Sequence, residues 1–256
     1  MSNTPNLMLH CGATLVERNE LEAVALPPTT RTYCPIGHET FVGLVQDKLS
    51  DIGFRFGTEA HSLTKEGNRY FGMAHLMNGT EQEDHALVVG MRSSMDKSFP
   101  ASVAFGSSVF VCDNLCFSGE VSISRKHTTN IMRDLPNLVA TAVGSVGVMQ
   151  ANQTLRYEQY REVKITSKRA DHLIIEMLRR EVINTSRVEK VVAEWDEPSH
   201  DEFAEDGRSV WRLFNATTEA LKGSPLQALS PRTIQLTALM DQAARFVPTA
   251  NVIDTQ

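Results

Sequence analysis

Residues 54–77 read FRFGTEAHSLTKEGNRYFGMAHLM. Two apolar and aromatic runs, 54–64 and 69–77, flank Lys65-Glu66-Gly67-Asn68, which has the composition of a hairpin turn. Strands joined by a tight turn pair antiparallel, so this stretch sets the fold class. Working outward, Asn78-Gly79 opens another turn before strands at 85–91 and 102–112, and 121–124 is a short fifth. Upstream, Phe41, Leu44, Val45, Leu49 and Ile52 recur at helical spacing, with Gly53 placed as a C-terminal cap. A short strand is expected near Glu22–Leu26.

After Thr128 the period changes. Residues 131–161 are helical in pattern, interrupted only by Pro136, Gly144 and Gly147. Ser167 is read as the cap of a helix whose Ala170, Leu173, Ile174, Met177 and Leu178 form one apolar face. Further helices are expected over 188–195 and 209–221, with 196–207 as an acidic loop between them. Ser230-Pro231 is read as the start of the last helix, with proline at its first position. Strands first and helices afterwards give an α+β fold. The expected organisation is a mixed antiparallel β region over 1–128, with a helix at about 38–52, and a helical region over 129–256. The two are expected to pack as one continuous domain.

The composition is that of a globular chain: 256 residues, 41% hydrophobic and 22% charged. No apolar run approaches the roughly 18 residues of a membrane span, so no membrane partner is expected. The N-terminal stretch lacks a basic region and has only Leu7-Met8-Leu9 as an apolar run, which points away from a secretory signal. Cys11, Cys34, Cys112 and Cys116 are then read as reduced thiols in a cytoplasmic protein. The net charge is −6. It is uneven, however: 92–169 carry +4 and the flanking segments −5 each. An anionic partner would meet the middle third.

The chemistry-bearing residues concentrate there too. Arg92-Ser93-Ser94-Met95-Asp96-Lys97-Ser98 lies between two strands and offers two cations and three hydroxyls, the groups that position phosphates. The plainer reading is a polar connection bonded to its own backbone. Arg125-Lys126-His127-Thr128 precedes a helix, and Lys164-Ile165-Thr166-Ser167-Lys168-Arg169 repeats the arrangement. Val109–Glu120, VFVCDNLCFSGE, reads as a core strand that turns at Cys112-Asp113-Asn114. Cys112, Cys116 and His127 have poor spacing for zinc, and no metal is expected on them. A Cys112–His127 nucleophile pair is disfavoured because Asp113 would raise the thiol pKa. His10, Cys11, Cys34 and His38 are a weaker cluster, and His200 sits among acidic residues. Trp195, Trp211 and Phe214 fall in helical patterns and are read as core anchors. No glycine-rich phosphate cradle is present.

The succession Pro35-Ile36-Gly37-His38, Tyr70-Phe71-Gly72, Gly90–Ser98, VFVCDNLCFSGE and Arg125–Thr128 resembles a family of phage- and plasmid-borne proteins described by a domain of unknown function. The likeness runs from about residue 30 through Trp211–Ala216 to Glu219. Where that family's pattern reads Arg-Asn-Ser-His-Asp-Lys-Ser, this chain has Ser93 and Met95 at the second and fourth places. The resemblance implies a cytoplasmic accessory of mobile elements that handles DNA or opposes a host defence.

The expected function is therefore nucleic-acid binding through the basic middle segment, with single-stranded DNA the favoured ligand, acting in recombination. The residues assigned to it are Arg92, Ser94, Asp96, Lys97, Ser98, Asn114, Arg125, Lys126, His127 and Thr128. No cofactor is implied, and self-association as a homo-oligomer is compatible with the pattern. One rival is a metal-dependent or phosphate-directed enzyme using Asp96, Asp113 and His127. The other is an inhibitor that captures a host protein.

Overall fold

The computed structural model describes residues 13–64, 66–79, 85–109, 114–116, 121–224, 226–248 and 253–255. It is an α+β protein whose strands precede most of its helices. The chain divides into two compact units. One comprises Met1–Gly106, Glu120–Gly147 and Val252–Gln256, the other Ser107–Gly119 and Val148–Asn251.

The first unit is built on a sheet. Its strands are β1 (Thr14–Val16), β2 (Arg55–Leu63), β3 (Arg69–Met77), β4 (His85–Ser94), β5 (Ala101–Val109), β7 (Val121–Arg125) and β8 (Ile253–Thr255), in the spatial order β1-β2-β3-β4-β5-β7-β8. The hairpin read from the sequence is present as β2 and β3, with Leu63 opposite Tyr70 and Gly67 at φ 69° in the turn. β5 and β7 also pair antiparallel, and their apolar residues Val103 and Ile123 face the core. On the outer face the opposed Ser102 and Ser124 hydroxyls are 3.2 Å apart. β8 joins β7 in parallel. Glu22–Leu26 forms no strand. Pro27 and Pro28 directly follow it, and neither has an N–H to give a ladder.

Helix α1 (His38–Ser50) buries Phe41, Val42, Val45 and Leu49. Its C-terminal end is closed by Gly53 N–H on the Ser50 carbonyl and Phe54 N–H on the Leu49 carbonyl, with Gly53 at φ 87°. This is the paired pattern that requires a left-handed residue, and glycine adopts it without a Cβ penalty. Helix α2 (Ile131–Gly144) buries Ile131, Leu135, Val139 and Val143 and packs on α1 and β7.

The second unit holds β6 (Asn114–Cys116), paired with the end of β5, and the helices α3 (Val146–Glu162), α4 (Ser167–Arg179), α5 (Thr185–Asp196), α6 (Asp201–Glu205), α7 (Val210–Leu221) and α8 (Leu226–Ala244). The pattern expected over 131–161 is thus two helices, separated at Ser145. α4 is capped by Thr166, whose hydroxyl accepts from Arg169 N–H, one residue before the expected Ser167. The acidic loop contains the single turn α6, and α8 begins before Pro231, which lies inside it. α7 is buried almost throughout and forms the unit's axis. Trp195, Trp211 and Phe214 are core residues, with Trp211 and Phe214 stacked at 5.6 Å. Buried Arg156 is held by Asp241, which also accepts a 2.6 Å bond from the Tyr160 hydroxyl. No helix among the described residues is long and apolar enough to cross a membrane.

Candidate functional site

The register of β5 and β7 creates the site. Ala101 opposes Arg125, so the loop entering β5 and the segment leaving β7 emerge at the same end of the sheet. Residues 32–36 join them. Tyr33 Oη donates to the Met95 carbonyl at 2.7 Å, and Cys34 N–H donates to the His127 carbonyl at 3.2 Å. Ile36 N–H donates to His127 Nδ1 at 3.3 Å.

That last bond fixes the chemistry of His127. With Nδ1 accepting, the neutral ring carries its proton on Nε2, which donates to Ser93 Oγ at 3.1 Å. Burial pushes the imidazole pKa down, and nearby His38 lowers it further against a raising backbone contact at Cys34. His127 is therefore a neutral brace between loops, with both ring nitrogens occupied.

The loop at 95–100 is held from within. Ser94 Oγ accepts from Phe99 N–H and donates to the Phe99 carbonyl. Asp96 accepts from Ser98 N–H at 3.0 Å, from Ser98 Oγ at 2.5 Å and from Arg69 Nε at 2.6 Å. Burial alone would raise this carboxyl, but the Ser98 and Arg69 bonds outweigh it and hold its pKa at about 2. Between them Lys97 takes φ 64°, a left-handed conformation that costs a side-chain-bearing residue about 1–2 kcal/mol. Such strain clusters at functional positions. Lys97 Nζ lies 4.5 Å from the Tyr33 ring centre.

Together these pieces enclose a cavity of about 370 Å³, whose walls include Tyr33, Lys97, Ser98, Phe99, Lys126 and Thr128. Thr128 Oγ1 is buried there without a hydrogen-bond partner among the described residues. Lys126 is exposed and has no acidic partner among them.

Five of the ten residues assigned from the sequence line this cavity: Lys97, Ser98, Lys126, His127 and Thr128. Ser94 and Asp96 brace it. The arginines are engaged elsewhere: Arg125 pairs with Asp134, and Arg92 is half-buried with its guanidinium 5.5 Å from the Phe99 ring. Asn114 starts β6 opposite Val109, in the second unit. The Asn114, Cys112, Cys116 and Asp113 side chains lie outside the described residues, as do His10 and Cys11. The third basic segment lies in the second unit, where Lys164 Nζ donates to the Arg161 and Asp206 carbonyls while Lys168 and Arg169 are exposed. The His200 ring meets Phe203 edge-on at 5.7 Å. No group of three or more His, Cys, Asp or Glu among the described residues is placed to hold a metal ion. Sequence reasoning missed Thr32, Tyr33, Phe99 and Pro100 as wall residues. The only local signal was the aromatic–hydroxyl pairing Thr32-Tyr33 before Pro35.

A second polar cluster was also missed. His38 is fully buried, donates from Nε2 to the Gly67 carbonyl at 2.9 Å and stacks on Tyr70. Tyr70 Oη meets His61 Nδ1 at 2.9 Å, and His61 Nε2 lies 3.4 Å from Glu59. Burial lowers the pKa of both histidines.

The family model for a domain of unknown function, DUF932, matches residues 26–239. The chain belongs to this family. The DUF932 match includes every wall of the cavity, whereas β1 and β8 fall outside it. No curated protein and no solved structure matches the chain significantly.

Proposed function

We propose that this DUF932 protein is an accessory of a mobile genetic element that binds nucleic acid, single strands in preference to duplex, at the cleft of Lys97, Ser98, Lys126 and Thr128. The observation that carries this reading is the meeting of two lysines without an acidic partner among the described residues, 29 positions apart in the chain, in one cavity with aromatic walls. Lysines supply the phosphate attraction, and aromatic faces such as Phe99 stack unpaired bases. Duplex grooves are read by a protruding helix or ribbon. A concave site suits a single strand, whose phosphates and bases can enter it. The mobile-element setting is supported by the motif succession from Pro35 to Thr128.

Because Arg125 pairs with Asp134 and Arg92 does not line the cavity, the count of phosphate-contacting cations falls from four to two. On single strands each contact contributes a salt slope of about 0.7, so two give about 1.4, a roughly sevenfold loss of affinity from 50 to 200 mM salt. Anisotropy titrations of single- and double-stranded oligonucleotides at several salt concentrations test this. Lys97→Ala with Lys126→Ala should abolish most of the slope while circular dichroism stays unchanged. Absence of binding by the folded wild-type protein at low salt overturns the reading.

A further inference from the structure

Resting on that reading, we infer that the cleft takes a terminal phosphate monoester, the phosphorylated end of a strand, and not an internal phosphodiester. Charge is the first argument. A monoester carries about −1.5 to −2 at neutral pH, whereas each internal phosphate carries one charge. Lys97 and Lys126 are two cations in one cavity without an acidic partner among the described residues, which matches the monoester.

The second argument is the lack of a continuing basic track. A strand passing through a groove meets cation after cation along its backbone. Here Arg69 is paired with Asp96 at 2.6 Å, and Arg125 and Arg133 share the single carboxylate of Asp134. Lys97 and Lys126 are the cations of the cavity wall.

The third argument is donor count. A monoester presents three terminal oxygens that accept hydrogen bonds. Ser98 is excluded as a donor, because its N–H and hydroxyl are both spent on Asp96. The polar side chains left at the cavity include Lys97 Nζ, Lys126 Nζ, the Thr32 hydroxyl and the buried Thr128 Oγ1, enough to serve three oxygens. The buried Thr128 hydroxyl without a partner is the most telling, since such a group is destabilising unless something completes it. Lys97 adds to this. Its left-handed backbone would suit glycine, yet a lysine occupies it.

The test uses the full chain and three probes of one sequence: a 5′-phosphorylated single strand, the same strand with hydroxyl ends, and a closed circle. A nucleoside monophosphate serves as competitor. The phosphorylated strand should bind about tenfold or more tightly than the other two, the value of one or more charge-assisted bonds. Thr128→Val and Lys126→Met should each erase most of that preference while leaving the unfolding midpoint in place. The monophosphate should displace the strand. Equal affinity for all three probes overturns the inference and leaves nucleic-acid binding standing. Tight binding of the monophosphate with no binding of any strand keeps the monoester site and overturns the nucleic-acid reading. Failure of every probe to bind overturns both.

Discussion

Acidification should destabilise the first unit selectively, through three buried imidazoles. His38, His61 and His127 are each held neutral, with burial the leading cause of a pKa below the ordinary 6.5. The folded state thus binds fewer protons than the unfolded chain, and stability rises with pH wherever that difference exists. The contribution is fully present above about pH 6.5 and is lost as pH falls through 6.5 toward the depressed folded-state values. Each group steepens the dependence by at most about 1.4 kcal/mol per pH unit, so about 4 kcal/mol per unit is the ceiling for the three together. Against a typical total stability of about 5–15 kcal/mol, acidification from pH 7 to 5.5 should lower the stability of this unit measurably. Asp96, held at about 2, does not interfere, because its stabilisation is lost only below the ordinary carboxylate range. Hydrogen exchange across pH 7.5–5.0, corrected for intrinsic rates, should show protection in α1 and β3 falling steeply. α7 serves as the comparison, since the described residues of the second unit include no buried histidine. His127→Gln should reduce the slope by up to about a third. Unchanged protection in α1 and β3 down to pH 5 would refute the assignment of neutral, buried imidazoles.

Thr128→Val should leave thermal stability unchanged or raise it slightly, because the lost hydroxyl has no partner and the shape is kept; calorimetry decides this. Gly72→Ala places a Cβ 1.9 Å from Tyr70 Oη in a buried stack, so urea titration should show a loss of about 1–3 kcal/mol. Trp211→Ala, at the centre of the helical unit's aromatic cluster, should cost about 3–5 kcal/mol and expose that unit to proteolysis first.

The amino-acid sequence alone determined the elements whose information is local. The β2–β3 hairpin follows from Glu66-Gly67-Asn68, where Gly67 takes the positive φ that the turn demands. The end of α1 follows from Gly53, and the core role of Trp211 and Phe214 from helical spacing. Where local signals competed, boundaries slipped. Pro231 resembles a helix start but lies within α8, and the long pattern over 131–161 breaks at Ser145. Partners distant in sequence were not legible at all. β8 pairs in parallel with β7 across roughly 130 residues, and no turn chemistry announces such a pairing. The candidate site divides the same way. Cations and hydroxyls marked residues 92–98 and 125–128 as phosphate-directed, but composition cannot tell a bracing group from one that faces a ligand. Only the tertiary structure assigned those roles. The Ala101–Arg125 register brought Lys97 and Lys126 into one cavity, Asp134 withdrew Arg125 from it, and the bond from Ile36 made His127 a neutral strut. Each of these depends on which side chains meet through space, and that is set by strand register and packing.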